Sequence, residues 1–420
     1  MLMASAHGCS AMNCAVRISR RTAFAGALIL CGFRPTSDAL AQSEVNLVMH
    51  TETFRDAASG QWIRRFSGRA APREAFIDPD TGAVVRPRDL FPNQNDPFAI
   101  NDRLQLGEGG YALRTLDRAR LGMAPGRDHQ SWAMNMIPFG VLLDGSILDP
   151  SGPWYDGGPA DPNNPFDRAC TGWEYEVTHP VVSQLVGVPA LIAGHVQPSG
   201  MFHYHGYPRL LIEALRSEAL ARGKSSGPLT VGYSADGFPV LDYRFAESPG
   251  GRLVFRFSGY VLRKGQRQVV EFTNPATVPL GNHDGLYVQD YVFDPRQKNQ
   301  EIEAALAQSE AYFGLTRSAL RDGRASYALL DQHNGGVLGD VEGYQGSVYG
   351  CVLTPDWPMV PRLFAFEPDE TFKQVIPFEP TGFGSRILKV LGVSEGRRSL
   401  YDNCPADLRS IRQWHERPPY

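Results

Sequence analysis

His195-Val196-Gln197-Pro198-Ser199-Gly200-Met201-Phe202-His203-Tyr204-His205-Gly206-Tyr207-Pro208 is the stretch on which the reading of this 420-residue chain turns. In extended backbone successive side chains point to opposite faces, so His203 and His205 share one face while Phe202 and Tyr204 occupy the other. The alternation predicts a strand that sets two imidazoles side by side. Pro208 then starts a helix in which Leu211, Ala214, Leu215 and Leu220 follow helical spacing, ended by Gly223 with Arg222 and Lys224 at the negative pole.

On either side the chain keeps the same character of short apolar runs broken by turn residues. Before it, Val45, Leu47 and Met49, then Trp62, Ile63 and Phe66, read as strands within residues 43–135. Asp144-Gly145 between the apolar runs ending at Leu143 and starting at Ile147 is a hairpin signal, because Gly supplies the positive φ of the turn. After it, strands are expected at Leu229–Tyr233, Val240–Phe245, Leu253–Phe257, Val269–Phe272, Val348–Leu353 and Met359–Phe366. A second helical region is expected over Gln297–Arg321, with Ile302, Leu306 and Phe313 as apolar markers and Gly314 as a break. The 43 Gly, 32 Pro, 16 Tyr and 22 Phe argue the same way, for strands and irregular connections over long helices. The fold class is mainly β (β-rich α+β), with antiparallel sheets or a sandwich and a few helical insertions. One large domain is expected over residues 43–370, followed by a C-terminal extension, 371–420.

The first 41 residues read as a targeting segment. Arg20-Arg21 precedes an apolar run from Ala23 to Cys31, the layout of a twin-arginine export signal, and Ala39-Leu40-Ala41 supplies the small residues of a cleavage site. The run is too short to span a bilayer, which needs about 20 residues, and the mature chain offers no transmembrane segment. A periplasmic or secreted location follows. Removing residues 1–41 takes away four arginines and one acid, leaving 37 basic and 44 acidic residues and a net charge of −7. Such a chain has no basic excess with which to neutralise a phosphate backbone, so nucleic acid is excluded as a partner. Three cysteines remain, Cys170, Cys351 and Cys404, of which two can pair in an oxidising compartment; the sequence leaves their pairing open.

Two histidines at strand spacing, with His195 eight residues before the first, form a first shell suited to Zn or Cu, since imidazole suits both. The bland alternative weighs equally on spacing alone: the rings bond backbone or carboxylate groups inside an aromatic layer of Phe202, Tyr204 and Tyr207. Other chemistries fall away. The sequence contains no HExxH, CxxC or P-loop. Gly232-Tyr233-Ser234-Ala235-Asp236 opens like a nucleophile elbow, but Asp236 would crowd the turn. Glu174 and Glu176 lie at strand spacing, as a glycosidase acid and base would, yet among 45 acids such pairs arise by chance.

The chain resembles the YHYH-domain family, named for a Tyr-His-Tyr-His signature. The matching pieces are Phe91-Pro92-Asn93-Gln94-Asn95-Asp96-Pro97, Pro138-Phe139-Gly140-Val141, the His195–Pro208 block, Gly232 to Pro239, Tyr260-Val261-Leu262-Arg263, Asp290-Tyr291, Leu330-Asp331-Gln332-His333-Asn334-Gly335 and Asp356-Trp357-Pro358. They follow the family order over roughly residues 76–365. Phe202 replaces the first Tyr of the signature, His333 stands where the family often has Cys, and Ser347–Val352 lacks the histidines of a second such run. The resemblance implies an exported protein and tips the HxH pair towards function, because the motif recurs with acid-bearing turns. It makes Asp236 the first choice as a carboxylate ligand, with Tyr204, Asp290 and Asp331 as groups that would orient the imidazoles. The leading expectation is a metal-binding protein with a site of His195, His203, His205 and Asp236. The rival is a metal-free ligand-binding or surface-interaction module in which the His/Tyr layer is structural.

Overall fold

The computed structural model describes residues 49–91, 100, 105–106, 113–125, 131–132, 138–153, 155, 172–196, 200–270, 273 and 277–372. The targeting segment, Pro92–Pro97, Cys170, Cys404 and all but the first two residues of the 371–420 extension lie outside them. Among the described residues no helix is long and apolar enough to cross a membrane.

The β-rich reading holds, and its centre is an eight-stranded sheet. Its order is Gly194–Val196, Phe202–Tyr204, Ile147–Leu148, Gly140–Leu142, Thr230–Ser234, Pro239–Asp242, Val348–Leu353 and Gly335–Leu338. The sheet is mixed rather than purely antiparallel: Phe202–Tyr204 runs parallel to Ile147–Leu148, and Pro239–Asp242 parallel to Val348–Leu353. Local sequence chemistry explains the antiparallel joints. Gly145 takes φ +87° in the Asp144-Gly145 turn, the Asp144 carboxylate accepts from the Ser146 amide at 3.0 Å, and Val141 pairs with Ile147. Val348–Leu353 is buried along its whole length, as its unbroken run of apolar and small residues requires of an inner strand covered on both faces.

Helix Arg209–Ala221 buries Leu210, Leu211, Ile212, Leu215 and Ala219 in the main core. The second helical region divides. Asp294 caps a helix over Pro295–Ser309 by accepting from the Arg296 and Gln297 amides, and Ile302 and Leu306 are buried. Positive φ at Glu310 and Gly314 then turns the chain through a hairpin, Ala311–Tyr312 with Leu315–Thr316, into a short helix, Arg317–Arg321. Phe313 sits in that turn, 44% exposed, so it is no core marker. Among the described residues Val269 and Val270 are not in a strand: Val269 is 56% exposed, and the nearest pairing is an isolated bridge between Gln266 and Asn282, while Glu271 and Phe272 lie outside the described residues. A separate antiparallel sheet joins Met49–Arg55, Trp62–Arg69 and Leu113–Leu116 and buries Phe66 and Leu113.

Candidate metal centre

The strands Gly194–Val196 and Phe202–Tyr204 pair antiparallel with His195 opposite His203. Gly200, at φ +82°, lies two residues before the strand Phe202–Tyr204. Beyond the strand end the pairing continues, because the His205 and Gly206 amides both donate to the Ala193 carbonyl, at 2.9 and 3.1 Å. This continuation holds His205 on the His195 side. Phe202 and Tyr204 take the opposite face, their rings 5.0 Å apart and nearly perpendicular, so the alternation read from the sequence is realised.

The three rings form a compact triangle. Centroid separations are 4.7 Å for His195 and His203, 4.9 Å for His195 and His205, and 4.5 Å for His203 and His205, each pair edge to face. One nitrogen from each ring lies within 4.8 Å of the others. His203 and His205 are buried, and His195 is partly exposed at the rim. His195 Nδ1 lies 2.7 Å from the Val186 carbonyl and so must carry the proton, which leaves a lone pair on Nε2. That Nε2 is 3.1 Å from Nε2 of His205. Two nitrogens on one tetrahedral zinc, at bonds of about 2.0–2.1 Å, would be about 3.3–3.4 Å apart. The donor pair is therefore already spaced for a shared cation.

Burial also sets the charge state. It is the first cause holding His203 down to about 3, with the neighbouring His195 adding to it. His205 is held well below the usual histidine value by burial and then by His203, His195 and Arg362, and His195 is lowered by burial. All three are neutral near pH 7, the form that ligates metal. The Met201 and Asp149 carbonyls lean towards His203 and His205 respectively. The Nδ1 atoms of both rings are buried, and these carbonyls are the groups nearest to answering them. Neutral, converging imidazoles could hold a metal ion, with His195, His203 and His205 as its ligands.

The acids do not join them. Among the described residues the group is three histidines without a carboxylate. Asp236 follows Thr230–Ser234, three strands from Phe202–Tyr204 and so about 14 Å away at the usual strand spacing. Its carboxylate instead accepts from the Ser234 hydroxyl and from the Ala365 and Phe366 amides, at 2.8 and 3.2 Å. Asp290 is held by Arg267, through Nε and Nη2 at 2.8 Å each, and by His283 Nδ1 at 2.9 Å. Asp331 belongs to the opposite edge of the sheet, accepting from the His333 and Gly335 amides and the Tyr349 hydroxyl. Tyr204 points its hydroxyl towards Asp144, on the face away from the imidazoles. Cys351 is a buried free thiol.

Helix Pro180–Val186, whose last residue orients His195, is absent from the sequence-based expectations. Its signals were present: His179 accepts from the Val181 amide as N-cap, Pro180 opens the helix, and Gly187 closes it at φ +72°. Residues 119–300, which contain all three histidines, match the family model described as YHYH protein. No curated protein and no solved structure matches the chain. The signature run Phe202–His205 and the partner histidine folded onto it lie within this match, so residues 119–300 carry a YHYH-type domain.

Proposed function

We propose that this chain is an exported protein that holds one transition-metal ion, zinc or copper, on His195, His203 and His205. The observation that carries the reading is the convergence of three buried or half-buried imidazoles, one nitrogen of each within 4.8 Å of the others and Nε2 of His195 3.1 Å from Nε2 of His205. Bound to these three nitrogens, such an ion would supply Lewis-acid chemistry. Metal analysis of the full chain, purified without an affinity tag, tests the reading. Wild type is expected to carry about one equivalent, and a variant with His203→Gln and His205→Gln none, while both stay folded. Metal at a hundredfold excess over Kd adds about 2.7 kcal/mol to stability, so chelator should lower the melting temperature of wild type and leave the variant unchanged. Identical melting of both, with no metal in either, gives the site to the rival reading. In that case a proton shared between the Nε2 atoms of His195 and His205 closes a structural cluster.

The same reading takes residues 1–41 as a twin-arginine signal cleaved after Ala41, 43–370 as the β-rich YHYH-type domain and 371–420 as an extension. Support comes from Arg20-Arg21, the short apolar run and the Ala39-Leu40-Ala41 site. Replacing both arginines by lysine keeps the charge and removes what that route reads, so precursor should accumulate inside the cell. Unchanged export would assign the general secretory route.

A further inference from the structure

A second cluster lies against the histidine hairpin and has no part in the reading above. Glu174 and Glu176, 6% and 2% exposed, share one guanidinium, that of Arg362, itself 4% exposed. Arg362 Nη1 lies 3.4 Å from Glu174 and Nη2 2.5 Å from Glu176. Glu174 also accepts from the Gly152 amide at 2.7 Å. Glu176 takes the Trp357 indole N–H at 2.6 Å and both the amide and the hydroxyl of Thr178. A third acid, Asp149, is 3% exposed and accepts from the Ser151 amide at 3.0 Å.

This cluster touches the histidine strand in two places. The Asp149 amide donates to the carbonyl of Tyr204, the residue between His203 and His205, at 2.9 Å. The Thr178 methyl group and the Met359 sulfur enclose Gly206 so closely that a Cβ there would lie 3.1 and 3.3 Å from them. Three carboxylates thus face one guanidinium. The neutral imidazoles add no charge, and the formal excess is two negative charges in a region closed to water. Buried charge is costly unless it is matched. Burial lifts Glu174 to about 7 even with Arg362 pulling the other way, so near neutral pH a proton and a cation compete to match the excess.

We propose that Asp149, Glu174, Glu176 and Arg362 form the outer electrostatic shell of the histidine centre and commit it to a divalent cation, whose charge equals the carboxylate excess. The inference rests on the metal reading above. Neither Asp149 nor Glu174 is a ligand; each positions and charges the surroundings of the ligands.

Competition with chromophoric chelators, using Zn²⁺ and, under anaerobic reducing conditions, Cu⁺, tests it on the full chain. Glu174→Gln removes a charge and keeps an acceptor for the Gly152 amide. Its Zn²⁺ affinity is expected to fall about tenfold or more, through the lost attraction between a buried charge and the ion. Cu⁺ affinity should fall much less, so the Zn²⁺ to Cu⁺ ratio should move by about tenfold. Asp149→Asn, which disturbs no ion pair with Arg362, should move the ratio the same way and decides the matter if Glu174→Gln does not fold. A purely structural role lowers stability and leaves the ratio alone, so an unchanged ratio in a folded variant overturns the inference. A wild type that binds neither ion rejects the histidine reading itself, whereas binding with an unmoved ratio rejects only the charge-matching shell.

Discussion

A proton on His203 would sit in a region closed to water and beside two further imidazoles, which is why burial and then His195 hold the ring near 3. The unfolded chain has no such restriction and titrates near 6.5. Above pH 6.5 the ring is neutral in both states and the difference has no effect. As pH falls below 6.5 the unfolded state takes a proton that the folded state refuses, and stability is lost until the folded ring titrates near 3. One such group changes stability by about 1.4 kcal/mol per pH unit inside that window. Asp144 and Asp149, both lifted to about 6 by burial, act in the opposite sense, since protonation relieves them. Subtracting one protein from another cancels that term. With metal stripped by chelator, wild type should therefore lose stability faster than His203→Gln between pH 6 and 4, by about one proton's slope. Parallel denaturation curves across that range would mean that His203 is not held neutral by its surroundings. The ring pair was legible in the sequence because period-two alternation is local. The separation of Asp236 from it was not, because two intervening strands are a fact of tertiary order.

At the scale of the element, the hairpin that carries the histidines depends on a residue with no side chain. A Cβ at Gly194 would lie 2.5 Å from the His203 carbonyl oxygen and 2.8 Å from the Phe202 ring. Gly194→Ala must part the two strands, and since His195 and His203 sit directly opposite, their rings separate with the backbone. A loss of about 1–3 kcal/mol is expected from the overpacking, together with weakened metal binding. Gly336→Ala, in an edge strand of the same sheet, meets only ordinary contact with Leu330 at 3.6 Å and should change neither quantity. Equal behaviour of the two variants in chemical denaturation and metal titration would remove the hairpin geometry from the argument. Helix Arg209–Ala221 and the Asp144-Gly145 hairpin were legible because capping and turn chemistry sit within a few residues. The parallel joint of Phe202–Tyr204 with Ile147–Leu148 was not, because it unites residues more than fifty positions apart and leaves no local periodicity.

Across the whole molecule, the turn that the sequence nominated for metal binding acts as a hub between distant segments. Arg118 donates to the Asp236 carbonyl at 2.8 Å, and the Thr115 hydroxyl and Asp369 amide both donate to the Ala235 carbonyl at 2.9 Å. The Asp236 carboxylate holds the Ala365 and Phe366 amides, and Gly237, at φ +95°, passes so close to the Leu116 carbonyl that a Cβ would lie 1.9 Å from it. The chain before the histidines and the chain after the last sheet strand are thereby fastened to one turn. Asp236→Ala leaves the Ala365 and Phe366 amides without their acceptor, each such orphan costing about 1–3 kcal/mol. The expected outcome is a large drop in the urea midpoint at an unchanged slope, which identifies lost stability rather than an altered unfolded state. Metal stoichiometry should stay at the wild-type level in the protein that remains folded, because no ligand has been removed and the hub lies about three strand spacings from the rings. The opposite pattern, loss of metal with an unmoved midpoint, would return Asp236 to the centre as a ligand and require the sheet to bring its first and fifth strands together.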